Sequence, residues 1–173
     1  MREWQWAGRV WPALLLGLAG CLPSPVSRPA PAESLAAALS GMVWPLAMDD
    51  PRRLTSSYGS RAARHHDGLD IAAPQGEPIY AAADGRVLFS GWKNGYGNTV
   101  VVAHERGVTT LYAHASARYV SEGQQVRRGE PLAAVGQTGN ARGAHLHFEV
   151  LWRGVPIDPT PLLPTLGGRS AAR

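Results

Sequence analysis

Asn98-Thr99-Val100-Val101-Val102-Ala103-His104-Glu105-Arg106-Gly107-Val108-Thr109-Thr110-Leu111-Tyr112-Ala113-His114 decides the fold class. Two runs rich in β-branched and aromatic side chains flank Glu105-Arg106-Gly107, a three-residue loop ending in glycine, which is the pattern of an antiparallel hairpin. That loop pairs His104 with Val108 and, carried along the strands, sets His114 opposite Asn98. Outward from it, short β-prone runs stand at Pro78 to Ala82, Gly85 to Ser90, Glu130 to Val135 and His145 to Leu151, bounded by Gly, Asn or Asp. No amphipathic helical pattern of useful length follows Leu39, so the expected fold is all-β, or β-dominated, around one core.

Composition agrees with a single domain carrying accessory segments. A chain of 173 residues with 45% hydrophobic and 17% charged side chains is neither a long coiled coil nor a polytopic membrane protein. The net charge of +4 comes from scattered arginines and one lysine, without a dense basic run, so no nucleic-acid partner is expected. Cys21 is the single cysteine. A disulfide framework or a thiolate-rich zinc knuckle is therefore excluded, and a metal would have to use His, Asp or Glu.

Residues 1–20 carry Arg2 and Arg9, then an apolar stretch from Val10 to Ala19 too short to span a bilayer, and read as an export signal. Leu18-Ala19-Gly20-Cys21 resembles the lipobox of bacterial lipoproteins. That resemblance implies cleavage before Cys21, lipid attachment at Cys21, and a protein anchored to a membrane of the cell envelope. Leu22 stands where an aspartate would mark inner-membrane retention, which favours the outer membrane, facing the periplasm, in a Gram-negative host. Residues 21–41, with Pro23, Pro25, Pro29 and Pro31, read as an extended Pro/Ala-rich tether in which Ser34 can cap a helical turn from Leu35 to Leu39. The folded domain is expected over 42–165 and a disordered tail over 166–173.

The six histidines carry the chemistry. In His66-Asp67-Gly68-Leu69-Asp70 the even spacing puts His66 and Asp70 on one side of an extended segment, where both can reach one ion. In His145-Leu146-His147-Phe148-Glu149 the strand period places both histidines on one face and turns Leu146 and Phe148 to the core. His104 and His114 stand at opposite ends of the hairpin strand, roughly 20 Å apart, and cannot share a site. His104 is thus assigned to structure or surface, and His65 to solvent or the margin of the site. His104-Glu105-Arg106-Gly107-Val108 also lacks the second histidine of a zincin helix. Trp92 and Tyr96, in the loop Ser90 to Asn98, either line a groove or cap the core edge.

Several motifs stand in order: Ser56-Ser57-Tyr58-Gly59-Ser60-Arg61, His66-Asp67-Gly68-Leu69-Asp70-Ile71-Ala72, Leu111-Tyr112-Ala113-His114, Gly136-Gln137-Thr138-Gly139-Asn140, Gly143-Ala144-His145-Leu146-His147-Phe148-Glu149-Val150 and Val155-Pro156-Ile157-Asp158-Pro159. From about Val43 to Leu163 the chain resembles the lysostaphin-like (LytM-type) zinc metallo-endopeptidases, which cut peptidoglycan peptides. The resemblance implies an antiparallel β-sheet core of the LytM, or duplicated-hybrid-motif, type. It implies Zn²⁺ held by His66, Asp70 and His147, catalytic roles for His114 and His145, and peptidoglycan stem peptides or cross-bridges as substrate. Two imidazoles and a carboxylate leave the fourth tetrahedral position open, as a catalytic zinc site requires. Ser60 stands roughly where some relatives carry an oxyanion-supporting tyrosine, which leaves Tyr58 or Arg61 as substitutes. The other reading is a catalytically silent LytM-type module that activates a cell-wall amidase, with a regulatory envelope protein as partner; lost ligands mark that group, and none is lost here. A biotinyl or lipoyl carrier is disfavoured because Lys93, the only lysine, lacks a carrier's flanking sequence.

Overall fold

The computed structural model describes residues 41–47, 53–61 and 64–164. The expected export signal, Cys21, the expected tether up to residue 40 with the helical turn expected at Leu35 to Leu39, and the expected tail over 166–173 lie outside the described residues. Those residues form strands β1 (Leu54–Ser56), β2 (Gly59–Arg61), β3 (Arg64–His66), β4 (Leu69–Ala72), β5 (Pro78–Tyr80), β6 (Gly85–Lys93) and β7 (Gly97–Ala103). They continue with β8 (Val108–Ala115), β9 (Ala117–Arg118), β10 (Gln125–Val126), β11 (Pro131–Ala134), β12 (His145–Trp152) and β13 (Val155–Ile157), and include no α-helix. Each β-prone run of the sequence overlaps one of these strands, with Ala81, Ala82, His104, Glu130 and Val135 falling just outside them, and the all-β expectation holds.

The main sheet is antiparallel, in the order β1-β4-β12-β8-β7-β6-β10, with β13 folded back onto β12. A smaller sheet, β5-β11-β9, and the hairpin β2-β3 account for the other described strands. Alternation along β12 drives this arrangement. Leu146 and Phe148 are fully buried and join Leu69 and Ile71 of β4, Tyr112 of β8, Val100 and Val102 of β7, Ile79 of β5 and Leu132 of β11 in one core. The Tyr112 and Phe148 rings lie 5.4 Å apart, tilted by 47°, as aromatic pairs prefer. Burying this apolar side of β12 leaves His145, His147 and Glu149 on its other face.

The β7–β8 hairpin closes as expected, with the His104 N–H donating to the Val108 carbonyl at 2.8 Å. Its register then departs from expectation. Val100 pairs with Tyr112, but Asn98 pairs with Ala115 and not with His114. One extra residue is accommodated in β8, and His114 takes the left-handed conformation at φ 63°. The slip has a chemical consequence. Tyr112 faces the core, so a regular strand would also send His114 there. The bulge re-aims His114 toward the face that carries His145 and His147, a conformation disfavoured for a non-glycine residue and held by its neighbours.

The segment from His66 to Asp70 is a second departure. It is no single extended strand: His66 ends β3, the chain bends at Asp67-Gly68, and Asp70 lies in β4 of the main sheet. Glycine is required at the bend because a Cβ at Gly68 would fall 2.3 Å from the Phe148 carbonyl oxygen. The bend presses against β12, and this close approach carries His66 over Asp70.

His104 lies apart from these groups, as expected. Its Nδ1–H donates to the Asp84 carbonyl at 2.7 Å, and Nε2 faces the buried Thr110 hydroxyl at 2.7 Å, which in turn lies 3.0 Å from the Tyr112 hydroxyl. Burial lowers the His104 pKa, against an opposing pull from the Asp84 carbonyl and carboxylate. The folded protein therefore holds His104 neutral at pH values where the unfolded chain, with a histidine near 6.5, has taken up a proton. This contribution to stability is present above about pH 6.5 and is lost as pH falls toward the lower folded value. In urea unfolding between pH 7.5 and 5, His104→Gln should show a shallower loss of stability than the parent while its metal content stays the same. Parallel pH curves for the two proteins would refute a neutral, buried His104.

Candidate metal centre

The open face of β12, the end of β3, the start of β4 and the bulge of β8 meet in a cleft of about 620 Å³. At its floor, His66 Nε2 lies 3.1 Å from Asp70 Oδ1 and 3.2 Å from His147 Nδ1, and His147 Nδ1 lies 2.8 Å from Asp70 Oδ1. These three ligand atoms fall within 4.8 Å of one another. β12 and β4 bring this about by pairing His147 directly with Asp70.

Each imidazole has its other nitrogen tied to an acceptor. His66 Nδ1–H donates to the Ser57 carbonyl at 2.8 Å, and His147 Nε2–H donates to Glu149 Oε1 at 2.9 Å. The same carboxylate oxygen accepts the Tyr96 hydroxyl at 2.8 Å. Such partners fix the tautomer and ring orientation of a metal-binding histidine and raise its basicity.

Burial alone would raise the Asp70 pKa, but the hydrogen bond from His147 and the charges of His147, His66 and His145 bring it down to about 2. Asp70 is thus ionised at neutral pH. Burial alone would lower the His147 pKa, but its bonds to Asp70 and Glu149 overcome this and raise it to about 9. The site consequently favours a positive charge between these two carboxylates. Two imidazoles and an ionised carboxylate, with no thiolate, match the donor set of a catalytic zinc site, and the residues present fit that metal.

His114 and His145 lie beside this cluster, their ring centroids 4.7 Å apart, with His114 5.9 Å from His147. The Nδ1–H of His114 donates to the Thr138 carbonyl at 2.8 Å, and that of His145 to the Gly143 carbonyl at 2.8 Å. Both bonds commit Nδ1 as the donor, so in a neutral ring Nε2 is the acceptor. Burial lowers the His114 pKa, the Thr138 bond opposes this, and repulsion from His145 and His147 adds to it. His145 Nε2 lies 3.8 Å from Asp70 Oδ1.

Other sequence candidates sort by position. His65 stands at the margin, exposed, 3.7 Å from Asp67 and edge-on to Tyr58. The Tyr58 hydroxyl donates to the Pro156 carbonyl at 3.0 Å. Tyr96 lines the cleft, while Trp92 is 59% exposed and does not. Lys93 is half-buried, its ammonium 4.5 Å from the centre of the Tyr96 ring. Glu149 is the functional residue that the sequence reading leaves without a role. Its signal was present, since it follows His147 by one strand period and so shares its face. The Ser57 and Thr138 carbonyls carry no such signal, because any residue type supplies a carbonyl.

The family model described as Peptidase family M23 matches residues 64–159. The chain is 48% identical over 120 residues to the DD-carboxypeptidase/endopeptidase Mpg of Neisseria meningitidis serogroup B, covering 65% of this chain and 28% of that protein. It is 42% identical over 96 residues to the murein hydrolase activator EnvC of Escherichia coli, covering 56% of this chain and 23% of that protein. The chain thus spans less than a third of the length of either relative. Its fold resembles the crystal structure of a zinc containing peptidase from Vibrio cholerae with a TM-score of 0.60 at 35% identity, covering 66% of this chain and 37% of that one. The matched stretch begins in the strand that ends at His66 and runs past His147 to the strand folded back on β12, and on that match the chain belongs to peptidase family M23.

Proposed function

We propose that the protein is a zinc-dependent endopeptidase that hydrolyses peptide cross-links of peptidoglycan. The observation that carries this reading is the convergence of His66, Asp70 and His147 with His114 and His145 at one cleft, none of the five replaced. Zinc held by the first three would supply a Lewis acid that polarises the scissile carbonyl and makes water a usable nucleophile near neutral pH.

The chain's own groups handle the protons. His114, kept neutral by burial and with Nδ1 committed to Thr138, offers Nε2 as a general base. His145, its Nδ1–H bound to the Gly143 carbonyl, becomes a second donor through Nε2–H only as the imidazolium, and in that form it would stabilise charge developing on the carbonyl oxygen. Glu149 holds the His147 ring and Tyr96 holds Glu149. In this reading the export signal and a lipid at Cys21 tether the domain in the cell envelope, at the outer membrane facing the periplasm in a Gram-negative host. The tether then gives the domain reach to the wall.

A second reading, a module that activates a cell-wall amidase, draws on the likeness to EnvC. One experiment separates the two. Cross-linked peptidoglycan incubated with the zinc-loaded protein should lose dimeric muropeptides and gain monomers by mass spectrometry, and the His66→Ala variant should leave it intact. Unchanged peptidoglycan with zinc bound would favour the activator, and adding an amidase to the same digest would then reveal it.

A further inference from the structure

The rim of the cleft carries a group that the reaction above does not use. Arg142 is the one permanently charged cation among the residues lining the cleft; the acidic ones are Asp67, Asp70 and Glu149. Asp70 and Glu149 are engaged with His66, His147 and Tyr96, and Asp67 faces His65. Arg142 itself is exposed and makes no hydrogen bond or ion pair with any described residue.

The loop bearing Arg142 is fixed at both feet. On one side, the Thr138 hydroxyl accepts from the Asn98 N–H at 3.0 Å and donates to the Ala115 carbonyl at 2.9 Å, and the Asn140 N–H donates to the Gly95 carbonyl at 2.9 Å. Gly139, at φ 70°, packs so closely that a Cβ there would lie 2.5 Å from the Gly97 nitrogen. On the other side, the His145 N–H donates to the Gly136 carbonyl and the His145 ring to the Gly143 carbonyl. Only residues 141–143 arch away, and nothing lies within 4 Å of a Cβ built on Gly143. The guanidinium is therefore presented from a short, pinned arch that leads directly into His145.

A guanidinium offers a planar fork of donors that matches a carboxylate bidentately. We infer that Arg142 is a carboxylate-binding residue of this cleft, which makes the enzyme select peptides carrying a free carboxylate beside the scissile bond; this rests on the peptidase reading above. The carboxylate can be the terminal one of an uncross-linked peptide or one borne by the residue at the cross-link. Both present the same chemistry, and the arms of the test distinguish them.

The test uses the zinc-loaded full-length protein with two matched substrate pairs. One is a D-Ala-D-Ala-terminated stem peptide as free acid and as carboxamide; the other is a cross-linked muropeptide dimer with the carboxylate at the cross-linked residue free or amidated. The free acid should have a KM roughly tenfold below that of its amide in whichever pair supplies the carboxylate, the size of a charge-assisted hydrogen bond. Arg142→Gln should collapse the preference to within about twofold, and Arg142→Lys, which keeps the charge without the fork, should retain part of it. The preference should also shrink with salt, because Arg142 is exposed. An acid preference that survives Arg142→Gln, or no preference in the parent protein, overturns the assignment. Calorimetric binding of cleaved, unreactive peptides as acid and amide keeps the two readings apart. No turnover with an Arg142-dependent binding preference would sink the peptidase reading and leave the carboxylate site standing, whereas turnover without preference would do the reverse.

Discussion

His66→Ala and His147→Ala should each lose bound zinc and peptidase activity together, whereas His145→Ala should keep the metal and lose turnover. The three ligand atoms lie within 4.8 Å of one another, and removing either imidazole leaves an Asp and a single His, too few protein donors for a tight catalytic zinc site. His145 stands 3.8 Å from Asp70 with its Nδ1 already bound to Gly143, outside that triangle. Loss of a positioned acid–base or oxyanion group costs about 10²- to 10⁴-fold in rate, so the His145 variant should be silent in ordinary assays while retaining one zinc per chain. His114 calls for a different substitution. At φ 63° an alanine is strained, so His114→Asn, which tolerates the left-handed region, removes the base and spares the bulge. Metal content measured by elemental analysis, beside circular dichroism to show that each variant folds, checks the division. Equal metal loss in the His145, His66 and His147 variants would overturn it.

The sequence carried most of this site because strand alternation is a strong rule where one face is buried. The pattern from His145 to Phe148 reads without ambiguity, since Leu146 and Phe148 have nowhere to go but the core. The bulge at His114 could not be read. A left-handed residue inside a strand usually announces itself as glycine, and here a histidine takes that conformation because the Tyr96 carbonyl, which accepts its N–H, and the Thr138 carbonyl, which accepts its ring, hold it there. The regular register carried from His104 and Val108 therefore set His114 opposite Asn98, where Ala115 stands. The spacing of His66 and Asp70 did signal a shared ion site, but by a different geometry. Their approach comes from a bend against the Phe148 carbonyl, a contact between segments far apart in the chain. Arg142 was invisible for a related reason: an arginine in a Gly-rich loop is unremarkable until both feet of the loop are seen pinned beside His145.

Glu149 carries the remaining large effect. The residue is almost wholly enclosed, at 1% exposure, and one carboxylate oxygen accepts from both His147 and Tyr96. Glu149→Gln keeps the volume and an acceptor for the His147 ring but removes the charge that makes the ring a better donor to metal. Zinc affinity should fall by about 10- to 100-fold, the usual cost of losing such a partner. Glu149→Ala should do more harm to the fold than to the chemistry alone, because it leaves the His147 Nε2–H and the Tyr96 hydroxyl facing an empty, buried space. A stability loss of about 3–5 kcal/mol is expected, the scale for removing one partner of a buried charged pair. Tyr96→Phe should be the mildest of the three. Glu149 still holds His147 there, and burial beside Glu149 already keeps the tyrosine pKa well above normal, so its hydroxyl acts only as a donor. The order to be seen in competitive zinc titration against a chelator is parent, Tyr96→Phe, Glu149→Gln, from tightest to weakest, with Glu149→Ala marked by its early urea midpoint. If Glu149→Gln holds zinc as tightly as the parent, the carboxylate serves packing alone and the relay from Tyr96 through Glu149 to His147 has no part in metal binding.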